Sequence, residues 1–381
     1  MRIVLNTRVD DHGSRLGIHG LAGRLRAAGV EVEVNDWGRY ERYDVAVFLG
    51  YDHDIEAARR RNPRLRIALF DPKQSRAEWI EAARQADFLL VSSVEQRDVF
   101  YRLNRNILIW SMFPPMPAVE KVHVEKEPIV VGYHGNRVHL ECMRDTVRPA
   151  LEELARRRPI EFWALYNVAE LGRAELGVPD ESLVRVRHIP WTPDLYPGSA
   201  VSPQFYTELA QVDVGIVPTE LPVRGKVRAL ERIAYRERRF MYEPFDHLIR
   251  LKASTNHGRL YPFARLGIPV VTDFAPSCSQ FVRDGESGFV VSSPYGWLEA
   301  LEALCDSAEL RNRLAAALRR TLDAEFDRQV GEFLAFCEAP LKPAPARISG
   351  WPTAEEEVAR LGRYRSPAQP LWRRALRRTR R

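Results

Sequence analysis

Short apolar runs alternate with helical stretches twice along this chain, and a proline-rich segment separates the two series. In the first series Arg2 to Leu5, Val30 to Val34, Val45 to Leu49, Arg66 to Phe70, Phe88 to Val91 and Ile107 to Trp110 read as strands. Gly20 to Ala28, Asp54 to Arg61, Glu78 to Gln85 and Val94 to Leu103 read as helices between them. Strand and helix in turn at short intervals predict a doubly wound parallel sheet. The second series has strands at Ile129 to Tyr133, Glu161 to Leu165, Leu183 to His188, Val212 to Val217, Ile268 to Val271 and Phe289 to Val291. Its helices fall at 140–156, 205–210, 297–303 and 309–324. Between the series, FPPMPAVEKVHVEKEP carries four prolines among charged residues and suits neither element. The expected layout is an α/β pair of Rossmann-like domains facing a cleft, which is a favoured place for ligands. The first domain covers 1–117, a linker 118–128, and the second 129–330 with an inserted segment at 221–251; a helix and basic tail fill 331–381.

The stretch KASTNHGRLYPFARLGIPVVTD, Lys252 to Asp273, carries the chemistry. Ser254, Thr255 and Asn256 are residue types that cap helix N-termini. Gly258 admits close backbone approach, and Leu260, Phe263, Ala264 and Leu266 give an apolar face at helical spacing. Gly267 and Pro269 then stop the helix before a β-branched strand. A helix N-terminus offers unpaired N–H groups and partial positive charge to an anion. Lys252 and Arg259 flank it, and both suit phosphate oxygens. A phosphorylated ligand, a nucleotide diphosphate by preference, fits this turn. An ordinary capped helix flanked by two solvated cations would read the same way.

Charge and cysteine usage narrow the class. Lys and Arg number 57 against 51 Asp and Glu, a net charge of +6, which suits an anionic substrate or membrane surface as well as nucleic acid. In the Arg-rich tail the aromatic residues expected of an RNA-stacking surface are sparse, so no nucleic-acid partner is expected. Cys142, Cys278, Cys305 and Cys337 show no metal or redox spacing and read as reduced, buried thiols of a cytoplasmic protein. MRIVLN reads as a first strand and not as a signal peptide.

The second series resembles the GT-B glycosyltransferases, specifically the large retaining group of family-four-like, nucleotide-sugar-dependent enzymes. VDVGIVPTE (Val212 to Glu220), the Lys252 to Asp273 stretch, QFVRDGESGFVV (Gln280 to Val291) and ELRNRLAAALRRTL (Glu309 to Leu322) follow that group's usual order. In the first half HGLAGRLRAAGVEVEV and ADFLLVSSVEQRDVF are similar to the group's first helix and strand and to a later pair. The resemblance implies a sugar transferred from a nucleotide-diphosphate donor, with no bound metal or resident cofactor, and with retention. It implies diphosphate contacts at Lys252 and over Asn256, His257, Gly258 and Arg259, flanked by Gly135, Asn136 and Arg137. Two departures stand out: Pro262 sits where the group usually places the Glu that holds the nucleotide ribose, and DDHGSRLG replaces a glycine pair after the first strand.

The loop after the first strand supplies Asp10, Asp11, His12 and His19. There His19 could contact the transferred sugar, and Asp11 could orient an acceptor hydroxyl or act as a base; either could equally be an ordinary surface residue. The proposed catalytic set is thus His19, Asp11, Lys252 and Arg259. Two other functions share such a scaffold: a sugar-nucleotide epimerase or hydrolase, and a non-catalytic nucleotide-sugar binder. The inserted segment reads as a basic lid or as a solvated helical insertion. The tail LWRRALRRTRR reads as a disordered basic tail or as a peripheral anchor on the inner membrane face, at about 1 kcal/mol per cation near an anionic surface. Deleting Leu371 to Arg381 should release the protein from anionic vesicles in a sedimentation assay without moving its melting temperature. A full-length chain that ignores such vesicles would exclude the anchor.

Overall fold

The structure, a computed structural model, describes residues 1–10, 14–73, 76–114, 116, 118–167, 177–191, 203–219, 257–353 and 355–356. The first sheet holds β1 (Arg2–Asn6), β2 (Glu31–Val34), β3 (Val45–Leu49), β4 (Arg66–Phe70), β5 (Phe88–Val91) and β6 (Ile107–Ile109). Their order is β2-β1-β3-β4-β5-β6, and every pairing is parallel. The helices α1 (Gly20–Ala27), α2 (Ile55–Arg61), α3 (Ala77–Gln85) and α4 (Val94–Phe100) connect them. Val45 to Leu49 is buried along its whole length, as a strand covered on both faces must be.

The second sheet holds β7 (Ile129–Asn136), β8 (Ile160–Asn167), β9 (Arg185–Trp191), β10 (Val214–Val217), β11 (Val270–Thr272) and β12 (Phe289–Val290). The order is β12-β11-β10-β7-β8-β9, again parallel throughout. Its helices are α5 (Val147–Arg157), α6 (Pro203–Leu209), α7 (Leu260–Arg265), α8 (Pro276–Ser279), α9 (Pro294–Asp306) and α10 (Ala308–Glu338). The expected pair of doubly wound sheets is present.

Three stretches differ from their expected form. Strand β7 continues past Tyr133, because β8 supplies ladder partners as far as Asn136 opposite Asn167. The loop expected at Asp10 to His19 instead contains a π-helical turn over Ser14–His19 that runs into α1. Gly17 permits it: a Cβ there would stand 2.5 Å from the Phe70 ring. The helix expected to end at Ala324 runs to Glu338. Its first part packs Leu318 and Leu322 into the second domain, and its last part packs Phe333 and Cys337 into the first.

The linker lies along the second domain rather than swinging free. It cannot build a ladder, so side chains serve its main chain. Arg311 Nη2 donates to Val124 O (2.8 Å), and Asn312 both accepts from His123 N (2.8 Å) and donates to His123 O (2.9 Å). The four cysteines are buried and unbridged. No helix of the described residues is long and apolar enough to cross a membrane.

Phe333 contacts Phe88 and Trp110 at 6.3 and 6.0 Å between ring centroids. Phe333→Ala should therefore cost about 3–5 kcal/mol in urea unfolding. An unchanged unfolding midpoint would mean that the end of α10 does not hold the first domain.

Candidate functional site

In a parallel α/β sheet the crevice opens where the strand order reverses, at the carboxyl ends of the strands. The second sheet reverses between β7 and β10, and the first between β1 and β3. The chain places its charged turn at the first of these points. A 3-10 turn over His257–Arg259 leads into α7. Arg259 reaches over the end of β10, where Nη2 donates to Pro218 O at 3.0 Å. Its guanidinium carbon lies 5.8 Å from the centroid of the Tyr133 ring on β7. Nη1 is buried and has no hydrogen-bond partner among the described residues. Gly135 makes the room: its φ is +143°, and a Cβ there would stand 3.0 Å from Arg259 Cδ. That Cβ would also stand 2.9 Å from Tyr133 Oη, so a side chain there would press on both neighbours.

His134 fixes this turn from below. Its Nε2 lies 2.8 Å from Arg259 O, so Nε2 carries the proton and donates. Phe263 and Phe205 pack edge-on to the ring at 4.7 and 5.6 Å. Burial pushes its pKa down to about 3, so the ring stays neutral and acts as a strut. Thr219, just past β10, donates through both N and Oγ1 to the Asp273 carboxylate past β11, which ties the two strand ends together.

His257 turns its side chain inward. It is fully buried, its Nε2 lies 2.5 Å from Ser111 Oγ, and Phe113 and Phe281 flank it at 5.7 and 4.3 Å. Only its main chain can meet a ligand. Burial also pushes its pKa down to about 3.

At the facing switch point Asp52 collects Arg8 N, Arg8 Nη1 (2.9 Å) and Thr7 Oγ1 (3.4 Å). Arg8 also covers the Trp37 ring at 3.6 Å. Asp71, at the end of β4, takes a φ of +48°, a conformation that non-glycine residues rarely adopt. It accepts from Lys73 Nζ and from Gln96 Nε2 (3.4 Å). Asp10 is held by a two-pronged Arg15 contact at 2.6 and 2.8 Å, which lowers its pKa. Between the domains, Ser277 N at the start of α8 donates to Glu95 Oε1 of α4 at 3.3 Å. Glu95 is buried, its other oxygen has no partner among the described residues, and burial raises its pKa.

No family model and no curated protein matches the chain. Solved structures do match. A glycosyltransferase from Rickettsia africae ESF-5 aligns at a TM-score of 0.54 with 10% identity, covering 88% of this chain and 97% of that one. Sucrose-phosphate synthase from Thermosynechococcus elongatus aligns at 0.52 with 11% identity, covering 88% and 98%. Anabaena HepE, in complex with UDP and glucose, aligns at 0.50 with 13% identity, covering 88% and 99%. The chain spans 55% of the length of TarM.

The chain has the GT-B fold. Within the GT-B frame the structure brings Gly135, Gly258 and Arg259 together at the second domain's switch point. The backbone of Asn136 ends β7 and that of Arg137 begins the next 3-10 turn, so both flank the same point. His19 is exposed at the N-terminus of α1, on the strand-end side of the first sheet. Asp11, His12, Lys252, Ser254, Thr255 and Asn256 lie outside the described residues, as do the segment 221–251 and the basic tail. Pro262 is buried within α7. Glu95 and Ser111 gave no usable signal in the sequence, and Asp71 was marked only by its place in a loop at a strand's carboxyl end. Glu95 sits in an ordinary helical turn, Ser111 in a strand-end run, and Asp71 reads as one of many loop carboxylates.

Three imidazoles are held neutral by burial: His134 and His257 at about 3, and His123 at about 4. In the unfolded chain each takes a proton below about pH 6.5. The unfolded state then binds more protons, so stability falls as pH drops from about 6.5 toward 4, by about 1.4 kcal/mol per imidazole per pH unit. Urea midpoints measured between pH 7.5 and 5 should decline together with this proton uptake. Constant midpoints across that range would mean that the imidazoles are solvated.

Proposed function

We propose that this protein is a glycosyltransferase that moves a sugar from a nucleotide-diphosphate sugar to an acceptor hydroxyl. The observation that carries the reading is Arg259, whose Nη1 is buried and has no hydrogen-bond partner among the described residues, at the switch point of the second sheet. A guanidinium nitrogen withdrawn from water without an acceptor is costly, and a phosphate oxygen is the acceptor that matches it. The GT-B fold supports the same reading, and so does the nucleotide in the HepE complex.

In the proposed reaction the bond between the sugar's anomeric carbon and the diphosphate oxygen breaks. The acceptor oxygen bonds to that carbon and loses its proton, to the departing diphosphate if configuration is retained or to a base if it is inverted. Negative charge accumulates on the leaving diphosphate. Arg259 and the N–H groups of the His257–Arg259 turn would meet it, a role that fixed positive charge fills well, and the family resemblance adds Lys252. Retention, independence from metal, and an acceptor in a surface polysaccharide or glycolipid follow from the family resemblance. His19, at the N-terminus of α1, and Asp11 would act on the acceptor side.

Pro262 favours a second reading, that of a nucleotide-sugar binder without turnover, since no carboxylate stands at that position to hold a ribose. Incubation with a panel of nucleotide sugars separates the two: transfer or donor hydrolysis supports the enzyme, and tight binding without turnover the binder. Arg259→Ala should weaken nucleoside diphosphate binding by about 1–3 kcal/mol, as loss of a charge-assisted hydrogen bond does. Unchanged calorimetric affinity would remove the arginine from the site.

A further inference from the structure

The main chain crosses between the domains twice, and a string of buried polar side chains links the two crossings. At the first crossing Trp110 and Met112 pack in the first domain's core, with Ser111 between them, and Phe113 in the second's. At the second crossing Leu322 packs in the second domain and Phe333 in the first, with Glu325 and Gln329 between them. Arg24 of α1 donates to Gln329 Oε1 (2.5 Å), and Gln329 Nε2 donates to Glu325 Oε1 (3.0 Å). Ser111 Oγ donates to the same Glu325 oxygen (3.3 Å). With the serine proton thus committed, His257 Nε2–H donates to Ser111 Oγ (2.5 Å). Gln329, Glu325, Ser111 and His257 are all buried. The string ends two residues from Arg259.

Apolar side chains would hold this interface at least as well, since buried polar groups gain little net stability. A connected buried network does fix one geometry and resists intermediate ones. We propose that this network makes His257 and Ser111 positioning residues, which set the His257–Arg259 turn according to the angle between the two domains. Rotation about the crossings shifts Ser111 against Glu325, and His257 passes that shift to the turn. Arg259 Nη1 then reaches its phosphate position in one domain arrangement and not in others. This inference rests on the donor-site reading above.

The test is calorimetric titration with UDP, ADP and GDP, and with the matching monophosphates. It uses the full-length wild type, Ser111→Ala, Ser111→Thr, Arg259→Ala and the Ser111→Ala/Arg259→Ala double variant. For whichever nucleotide binds, Ser111→Ala should lose about tenfold in diphosphate affinity, a usual size for coupling between sites. Monophosphate affinity should barely change, because the arginine grip is what is displaced. Ser111→Thr, which keeps the hydroxyl, should restore binding. In the Arg259→Ala background the serine change should have no further effect. Equal loss for mono- and diphosphate, additive losses in the double variant, or no loss at all would overturn the inference and leave the donor site standing. Should Ser111→Ala fail to fold, Gln329→Met breaks the same string elsewhere and is held to the same outcomes. A wild type that binds none of the three nucleoside diphosphates removes the donor site and this inference with it.

Discussion

Arg259, one of whose guanidinium nitrogens is buried and has no hydrogen-bond partner among the described residues, is the constraint around which the second domain's switch point is arranged. Burying such a group without an acceptor costs on the order of 1–3 kcal/mol, so the surroundings must enforce it. They do so from three sides. Pro218 O past β10 takes Nη2, the Tyr133 ring lies alongside, and Gly135 leaves the gap through which the side chain passes. The neutral His134 pins the main chain of the same residue. A site that stores this much local cost is better explained by a ligand than by stability.

The second theme is how the halves are joined. Chain crossings at Ser111 and along α10 carry polar side chains where apolar ones would be expected, and Glu95 meets Ser277 across the opposite side of the cleft. Each domain keeps its own apolar core, and these contacts between them are polar. Closing such a cleft removes water from a charged site and strengthens every electrostatic contact inside it.

Much of the fold was legible because β-branched and helical runs keep their periods over whole elements. Val45–Leu49 and Arg66–Phe70 match the sequence-based bounds to the residue. What was not legible has physical reasons. The π-turn at Ser14–His19 hides behind polar residues and glycines, since the burial of Gly17 against Phe70 is a tertiary fact. Helix α10 looked finished at Ala324 because its buried stripe, Leu318, Leu322, Glu325, Gln329 and Phe333, turns polar where it crosses the hinge. In the site, Gly135 came from the family resemblance alone, whereas Arg259 could be read from turn chemistry. The inward aim of His257 could not, because its partner lies 146 residues away in sequence.

A crystal structure with a bound nucleoside diphosphate tests the central claim most directly. The account predicts a phosphate oxygen within hydrogen-bond distance of Arg259 Nη1, over the carboxyl ends of β7 and β10. A diphosphate bound elsewhere in the cleft, with Nη1 still lacking an acceptor, would contradict it.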